Sequence, residues 1–239
     1  MYVLGIDTSS IVATIALLSE KKLHAEYIVN NKKTHSEKMM EVLHKVLVDS
    51  GVNMEEIDVI AVSKGPGSFT GIRIGMAAAQ GMAHALDKPI LGINALDGLA
   101  YNMMGSKSLL CPVINAQRNE VYTSLYRWDD KSLNRLWEYR LLKVDKLLED
   151  LGKLNTPVTL LGDGMPLFEK HLDNKQPLFE NISFSHPAFS MPRGSSIAGK
   201  ALWEYTQGKI ENCFSVEPFY IRKSNAEEKW EERHGRKNG

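Results

Sequence analysis

Residues 65–75 read GPGSFTGIRIG, a glycine-rich turn between an apolar run and a long Ala-rich segment. The apolar run, residues 59–63, predicts a strand, and a helix is predicted from the turn to about Leu86. Strand, tight turn and helix bring backbone N–H groups close to a phosphate or a partner. The turn lacks the lysine of a P-loop, and its glycine spacing is one residue too long for the dinucleotide fingerprint. The stretch therefore predicts α/β structure without predicting a ligand.

The predicted helix carries a small residue at every fourth position, at Gly71, Gly75, Ala79 and Ala83. Residues four apart lie on one helix face, so these four form a narrow stripe that another backbone can approach closely. Each glycine in a helix interior costs about 1 kcal/mol relative to alanine, which indicates a packing role. Two interpretations stay open: close packing on the protein's own sheet, or a helix–helix interface with another chain.

Composition and charge limit the class of protein. The chain has 239 residues, of which 43% are apolar, and this is enough for one large domain or two smaller ones. Its formal net charge is zero and no basic stripe is visible, so a partner would have to supply most contacts to a nucleic acid. The two cysteines fit no metal or redox spacing, which indicates a reducing compartment. With no signal peptide and no long apolar segment, we expect a cytoplasmic protein without membrane contact.

The predicted elements repeat along the chain. Three hairpin-connected strands are predicted within residues 2–29, followed by a helix that ends near Ser50 and then by the strand and helix around the glycine turn. A similar order begins again near residue 110 and ends with a strand predicted at 218–222. This repetition predicts two duplicated α/β lobes.

We expect an N-terminal lobe at 1–105, a C-terminal lobe at 106–225, and a charged, flexible tail at 226–239. The polar tips at residues 7–10 and 115–118 hold equivalent places in the two halves. We expect them to face each other across a cleft between the lobes, where ligands usually bind.

Four segments together resemble the bacterial TsaB (YeaZ) family: Ile6-Asp7-Thr8-Ser9, residues 65–73, Glu120-Val121-Tyr122 and Gly162-Asp163-Gly164. The match covers nearly the whole chain up to Arg222, and the string at 65–73 is highly specific to that family. The resemblance implies two ribonuclease-H-like lobes of the actin, sugar-kinase and chaperone-ATPase superfamily. It also implies a role in making threonylcarbamoyladenosine at position 37 of tRNAs that read ANN codons.

The resemblance implies partners as well. A heterodimer with the catalytic paralogue TsaD is expected, in which this chain activates TsaD, with TsaE as a further partner and TsaC, the supplier of threonylcarbamoyl-adenylate, as another candidate. The assembled complex would use ATP and Mg²⁺ and contact tRNA, whereas this chain would need no cofactor of its own. We expect the isolated chain to self-associate as a homodimer.

In this interpretation, the helix that begins near His35 and the helix that follows the glycine turn form a bundle with the equivalent helices of the partner. Methionine suits such a surface because its flexible side chain adapts to different partners. The predicted interface residues are Met39, Met40, Leu43, Gly71, Ile72, Gly75, Met76 and Ala79.

Three positions argue against catalysis by this chain. Residues 92–99 resemble the TsaD segment in which two histidines, four residues apart, bind a metal, and Ala95 and Leu99 stand at those positions. Neither side chain can donate to a metal. Asn115 stands where related sequences often carry Asp, and an amide neither holds Mg²⁺ nor takes a proton as a carboxylate does. We therefore predict no catalytic residue and no metal site, and a subunit that is a pseudo-enzyme.

The residues Asp7, Thr8 and Ser9 remain candidates for binding phosphate or a nucleotide, with capping of a hairpin turn as the alternative. An active small-molecule kinase or ATPase of the same fold is the alternative function, and it would draw on Asp7 and the turn at 162–164. A peptidase has little support, because the seven histidines are scattered and no His-Glu-x-x-His motif is present.

Overall fold

The computed structural model describes residues 1–30, 35–130, 132–172 and 179–222, and the tail predicted at 226–239 lies outside them. The described residues form two α/β lobes, each built on one mixed sheet with helices packed against it. The prediction of duplicated lobes is confirmed. Within the same ranges, no helix is both long and apolar enough to cross a membrane.

The first sheet has the spatial order β3-β2-β1-β4-β5 and consists of β1 (Tyr2–Asp7), β2 (Val12–Ser19), β3 (Leu23–Asn30), β4 (Val59–Ser63) and β5 (Ile90–Ile93). The helices of this half are α1 (His35–Ser50), α2 (Phe69–Leu86) and α3 (Ala95–Tyr101). The strands β1, β2 and β3 pair antiparallel, whereas β4 and β5 run parallel to β1. The segments that follow β1, β4 and β5 therefore meet at one edge of the sheet, where ligands bind in open α/β sheets.

The core of the first lobe lies between this sheet and the helices α1 and α2. Alternate residues of β1 and β4 point to the same side, which places Leu4 and Ile60 against the two helices. Met39, Val42, Leu43 and Val46 of α1 are buried there. Their spacing places them on one face of the helix.

The second sheet has the main order β10-β7-β6-β11-β12, with a β8–β9 hairpin attached to β6. Its strands are β6 (Leu109–Asn115), β7 (Glu120–Thr123), β8 (Tyr126–Trp128), β9 (Leu133–Arg135), β10 (Arg140–Lys143), β11 (Val158–Leu161) and β12 (Ile182–Phe184). The helices of this half are α4 (Val144–Gly152), α5 (Pro166–Leu172) and α6 (Gly194–Thr206). The parallel strands β6 and β11 end at the edge that carries residues 115–118 and the turn at 162–164.

Three details of the second half differ from the prediction. The β8–β9 hairpin and the strand β12 were not expected, and no strand forms at 218–222. In that last segment Pro218 has no N–H to donate to a ladder. The N–H of Phe219 donates instead to the carbonyl of Lys64 in the first half, at 2.7 Å. The segment is therefore a link between the halves.

The two halves exchange a helix. Although α3 follows the first sheet in sequence, it packs on the second, where Leu96 and Leu99 meet Leu110 and Tyr126. Conversely, α6 packs on the face of the first sheet opposite α1 and α2, with its Ile197 against that sheet. The boundaries at 1–105 and 106–225 stay a prediction, and these two helices each pack on the sheet of the other range.

Candidate functional site: the interlobe cleft and the outer face of α1 and α2

A small cleft lies between the ends of the two sheets. Its enclosed volume is about 10 Å³, and the space around it includes open solvent. Ligand pockets commonly measure about 300–1,000 Å³, so the cleft in this conformation does not enclose a nucleotide. The residues that line it are Ser9, Ser10, Ala95, Leu99, Ile114, Asp163 and Pro192.

The wall from the first lobe is the turn after β1, which holds the predicted phosphate-binding residues. Asp7, Thr8 and Ser9 are at most 2% exposed. The Asp7 carboxylate accepts hydrogen bonds from the backbone N–H of Ser9 at 2.8 Å and from its hydroxyl at 2.7 Å. The hydroxyl of Thr8 donates to the carbonyl of Gly71 at 2.7 Å. These contacts hold the turn against α2, and nucleotide binding by it stays a prediction.

The glycine stripe of α2 packs on this same turn. A Cβ atom on Gly71 would lie 2.0 Å from the carbonyl oxygen of Thr8, and one on Gly75 would lie 2.3 Å from its hydroxyl oxygen. At these two glycines α2 lies so close to Thr8 that a side chain would not fit between them. Of the two interpretations of the stripe, the structure supports close packing within the chain.

The wall from the second lobe is formed by Ile114 near the end of β6 and by Asp163 in the turn at 162–164. The backbone N–H of Asn115 donates to the Asp163 carboxylate at 2.9 Å, and the Asn115 side chain accepts from the N–H of Gln117 at 2.8 Å. Desolvation raises the pKa of the Asp163 carboxyl, although the residue as a whole stays exposed. Ser9 and Ser10 of the first tip and Asp163 of the second half thus line the same cleft, whereas the second tip is connected to it through the contact of Asn115 with Asp163.

Two positions that line the cleft carry no side chain able to bind a metal. Ala95 and Leu99 both line it, and each is at most 3% exposed. The resemblance of residues 92–99 to a TsaD segment places these two positions where TsaD has its metal-binding histidines. Neither side chain carries a donor atom. Within the described residues, no three His, Cys, Asp or Glu side chains are grouped so that they could hold a metal ion.

The predicted partner interface needs correction. Met39, Leu43, Gly71, Ile72, Gly75, Met76 and Ala79 are buried inside the chain itself. Of the predicted set only Met40 is available, with 56% of its surface exposed. The error has a physical cause: a face of small and apolar residues looks the same in sequence whether it packs on its own sheet or on another chain.

The outer face of α1 and α2 carries a different set of residues. On α2 the exposed residues Arg73, Ala77, Gly81 and Ala85 are again spaced by four, and a Cβ atom on Gly81 would meet nothing within 4 Å. On α1 the exposed apolar residues are Met40 and Val48, the latter with 62% of its surface exposed. The signal for this second stripe was present in the sequence, but its spacing alone did not indicate which stripe faces outward.

The duplicated mixed sheets, with a cleft at their facing strand ends, define a two-lobed α/β protein with the fold of the actin, sugar-kinase and chaperone-ATPase superfamily. A family model described as "TsaD: tRNA N6-adenosine threonylcarbamoyltransferase" matches residues 22–230. A relative in Bacillus subtilis, the tRNA threonylcarbamoyladenosine biosynthesis protein TsaB, is 34% identical over 96% of this chain and 98% of its own length. The chain belongs to the TsaB (YeaZ) family.

Other relatives agree with this assignment. The protein of the same name in Escherichia coli is 26% identical over 95% of this chain and 96% of its own length. Among solved structures, YeaZ from Pseudomonas aeruginosa is similar with a TM-score of 0.73 and 22% identity, covering 92% of this chain and 100% of that one. The likeness of the two structures supports the fold.

Proposed function

We propose that this chain is a non-catalytic subunit of the machinery that makes threonylcarbamoyladenosine at position 37 of tRNA. In this proposal it forms a heterodimer with the transferase TsaD and activates it. One observation carries the proposal: Ala95 and Leu99 line the cleft at the positions where the paralogue is expected to hold its metal. At these two positions a methyl and an isobutyl group cannot hold a metal ion for phosphoryl or carbamoyl transfer.

The outer face of α1 and α2 is the proposed docking surface for TsaD. It presents Met40 and Val48 on α1 and the exposed stripe of Ala77, Gly81 and Ala85 on α2. Small residues at the surface allow a partner helix to approach closely, and methionine adapts to its shape. The same face is the proposed contact of a homodimer when TsaD is absent.

The remaining parts of the assembly stay predictions. They are TsaE and TsaC as further partners, ATP and Mg²⁺ use by the assembled complex, contact with tRNA only through the complex, and a cytoplasmic location.

Reconstitution of the modification reaction tests the proposed role. TsaD, TsaC, TsaE, ATP and tRNA are combined with and without this chain, and threonylcarbamoyladenosine is measured by mass spectrometry of digested tRNA. We expect product only when TsaD and this chain are both present. Product formed by this chain without TsaD would contradict the proposal, as would ATP turnover by the isolated chain that Asp7→Ala abolishes.

A second experiment tests the docking surface. Because space is open around Gly81, Gly81→Trp should leave the fold intact while blocking a partner helix. We expect loss of co-purification with TsaD for this variant. The matched control is Glu149→Trp on the exposed side of α4, which should bind TsaD like the wild type. Wild-type binding by Gly81→Trp would exclude this face as the interface.

A further inference from the structure

The residues Val216–Arg222, here called the C-terminal strap, run from one lobe to the other. The chain reaches this segment from α6, which packs on the first sheet. Before the strap, the carbonyl of Glu211 accepts from the N–H of Ile90 at 3.2 Å, so the chain still follows the first lobe at that point. The strap then passes the glycine-rich turn and ends at the tip of the second lobe.

Val216 and Tyr220 anchor the strap in the first lobe. Val216 is 4% exposed, and its carbonyl accepts from the side chain of Gln80 on α2 at 2.9 Å. The ring of Tyr220 stacks on Phe69 at the start of α2, with centroids 3.9 Å apart and planes inclined by 3°. Arg73 donates to the Tyr220 hydroxyl at 3.1 Å. These contacts attach the strap to the first turns and the middle of α2.

Its second half contacts the second lobe at two places. The ring of Phe219 packs edge-to-face on Tyr139, with centroids 5.3 Å apart. The guanidinium of Arg222 donates to the carbonyl of Ala116 at 3.0 Å and forms an ion pair with Glu120. The side chains of Arg222 and Glu120 are only 17% and 21% exposed, so solvent screens the pair less than a surface pair.

Two-lobed α/β proteins commonly open and close their cleft by rotation about a hinge. Here the lobes are joined through the contact between the exchanged helices α3 and α6. The strap adds attachments that are distant in sequence from that contact. Widening the cleft would separate Phe219 from Tyr139 or Arg222 from the tip at 115–120.

We propose that the C-terminal strap fixes the separation of the two lobes and suppresses opening of the cleft. The helices α1 and α2 then belong to one rigid body that includes both lobes. The strap connects α2 directly to the tip after β6 in the second lobe. This device does not depend on the proposed role in tRNA modification.

Electron–electron distance measurements between two spin labels test the proposal. Cys213 is first replaced by Ser, and cysteines are introduced at Val48 on α1 and Glu149 on α4, both exposed. Cys111 is buried and its pKa is raised by desolvation to about 12, so it should not take up the label. We expect one narrow distance distribution for the full chain, and a distribution about twofold broader for the double variant Phe219→Ala/Arg222→Ala, as hinge motion is released.

Two variants act as controls. Phe214→Ala, at a residue 82% exposed in the preceding loop, should keep the narrow distribution. Circular dichroism confirms folding, and if the double variant does not fold, Arg222→Ala alone must broaden the distribution. A broad distance distribution for the labelled chain with an unaltered strap would overturn the proposal. A wild-type width for the folded variants that lack the Phe219 and Arg222 side chains would overturn it as well.

Discussion

Thr8 is the residue on which α2 rests. It is 1% exposed, and its hydroxyl donates to the carbonyl of Gly71 while its own carbonyl occupies the space where a Gly71 side chain would lie. The contact between Thr8 and Gly71 therefore connects the cleft wall to the inner face of α2. A change on α2 that moves Thr8 also moves Ser9, which lines the cleft.

Two alanine substitutions on α2 should have opposite effects. Gly71→Ala places a methyl group 2.0 Å from the Thr8 carbonyl oxygen, and we expect the free energy of unfolding to fall by about 1–3 kcal/mol through overpacking. Gly81→Ala meets open space and should raise it by up to about 1 kcal/mol, because alanine favours the helix. Urea unfolding followed by circular dichroism measures both. Equal effects would contradict the close contact at Thr8.

Asp97 on α3 joins two tyrosines of the second lobe. Its carboxylate accepts from the hydroxyl of Tyr126 at 2.6 Å and from that of Tyr139 at 2.9 and 3.0 Å. Burial raises the pKa of Asp97 above its ordinary value of 3.8, and the two tyrosine hydrogen bonds oppose this rise. Burial and the Asp97 charge likewise raise the pKa of both tyrosines.

The raised pKa of Asp97 predicts a pH effect on stability. The folded state keeps this proton to higher pH than the unfolded state, so the free energy of unfolding falls as pH rises from 3.8 through the raised pKa. Asp97→Asn should remove that fall and still accept the tyrosine hydrogen bonds. Asp97→Ala should lower stability by about 1–3 kcal/mol, because buried hydroxyls lose their acceptor. Urea unfolding between pH 3.5 and 7 compares the three proteins, and an unchanged slope in Asp97→Asn would contradict this assignment.

At the level of elements, the start of α6 is held by a carboxylate from the edge strand β3. The Glu26 side chain is 6% exposed and accepts from Arg193 at 2.6 and 3.1 Å. It also accepts from the backbone N–H of Ser195 at 3.0 Å and from the Ser195 hydroxyl at 2.7 Å. A negative charge beside the first turn of a helix is favourable, so Glu26 positions α6 on the first sheet.

We expect Glu26→Ala to lower the free energy of unfolding by about 2–3 kcal/mol. Removing one partner of a fully buried ion pair costs about 3–5 kcal/mol. The loss expected here is smaller because about a third of the Arg193 side chain is exposed to water. Arg193→Ala should have a smaller effect, since Ser195 still satisfies the Glu26 carboxylate. Thermal unfolding of the two variants measures the difference, and a larger effect of Arg193→Ala would contradict the role assigned to Glu26.

For the molecule as a whole, the exchange of α3 and α6 means that neither half completes its own core. The first sheet needs Ile197, Ala198 and Ala201 of α6 to cover one face, and the second sheet needs Leu96, Leu99 and Ala100 of α3. Covering both faces is what stabilises a sheet that contains parallel strands. The two lobes are therefore expected to fold as one cooperative unit.

Fragments of the chain test this cooperativity. Residues 1–105 expressed alone lack α6 and should show exposed apolar surface, measured by binding of the dye ANS. Co-expression with residues 106–239 should restore a folded complex with a dispersed amide NMR spectrum. A folded, ANS-negative 1–105 fragment would contradict the dependence of the first lobe on α6.

The spacing of apolar residues predicted secondary structure correctly where buried residues repeat with the period of a strand or a helix. It predicted the strands of the first half and the duplicated order, because alternation and helical spacing report which side of an element is buried. Ala95 and Leu99, identified in the sequence as positions without donor atoms, line the cleft. The spacing was less accurate around the β8–β9 hairpin and at 218–222, where pairing partners rather than composition decide the structure.

Residue types and their spacing thus established two lobes, a cleft without metal-ligand side chains at Ala95 and Leu99, and membership of one family. Three-dimensional packing decided which small-residue stripe of α2 is internal, which sheet α3 and α6 cover, and that the chain's last described residues join the lobes. The reason is the range of the interactions: periodicity records a residue's neighbours within one element, whereas these choices depend on contacts between segments far apart in the chain.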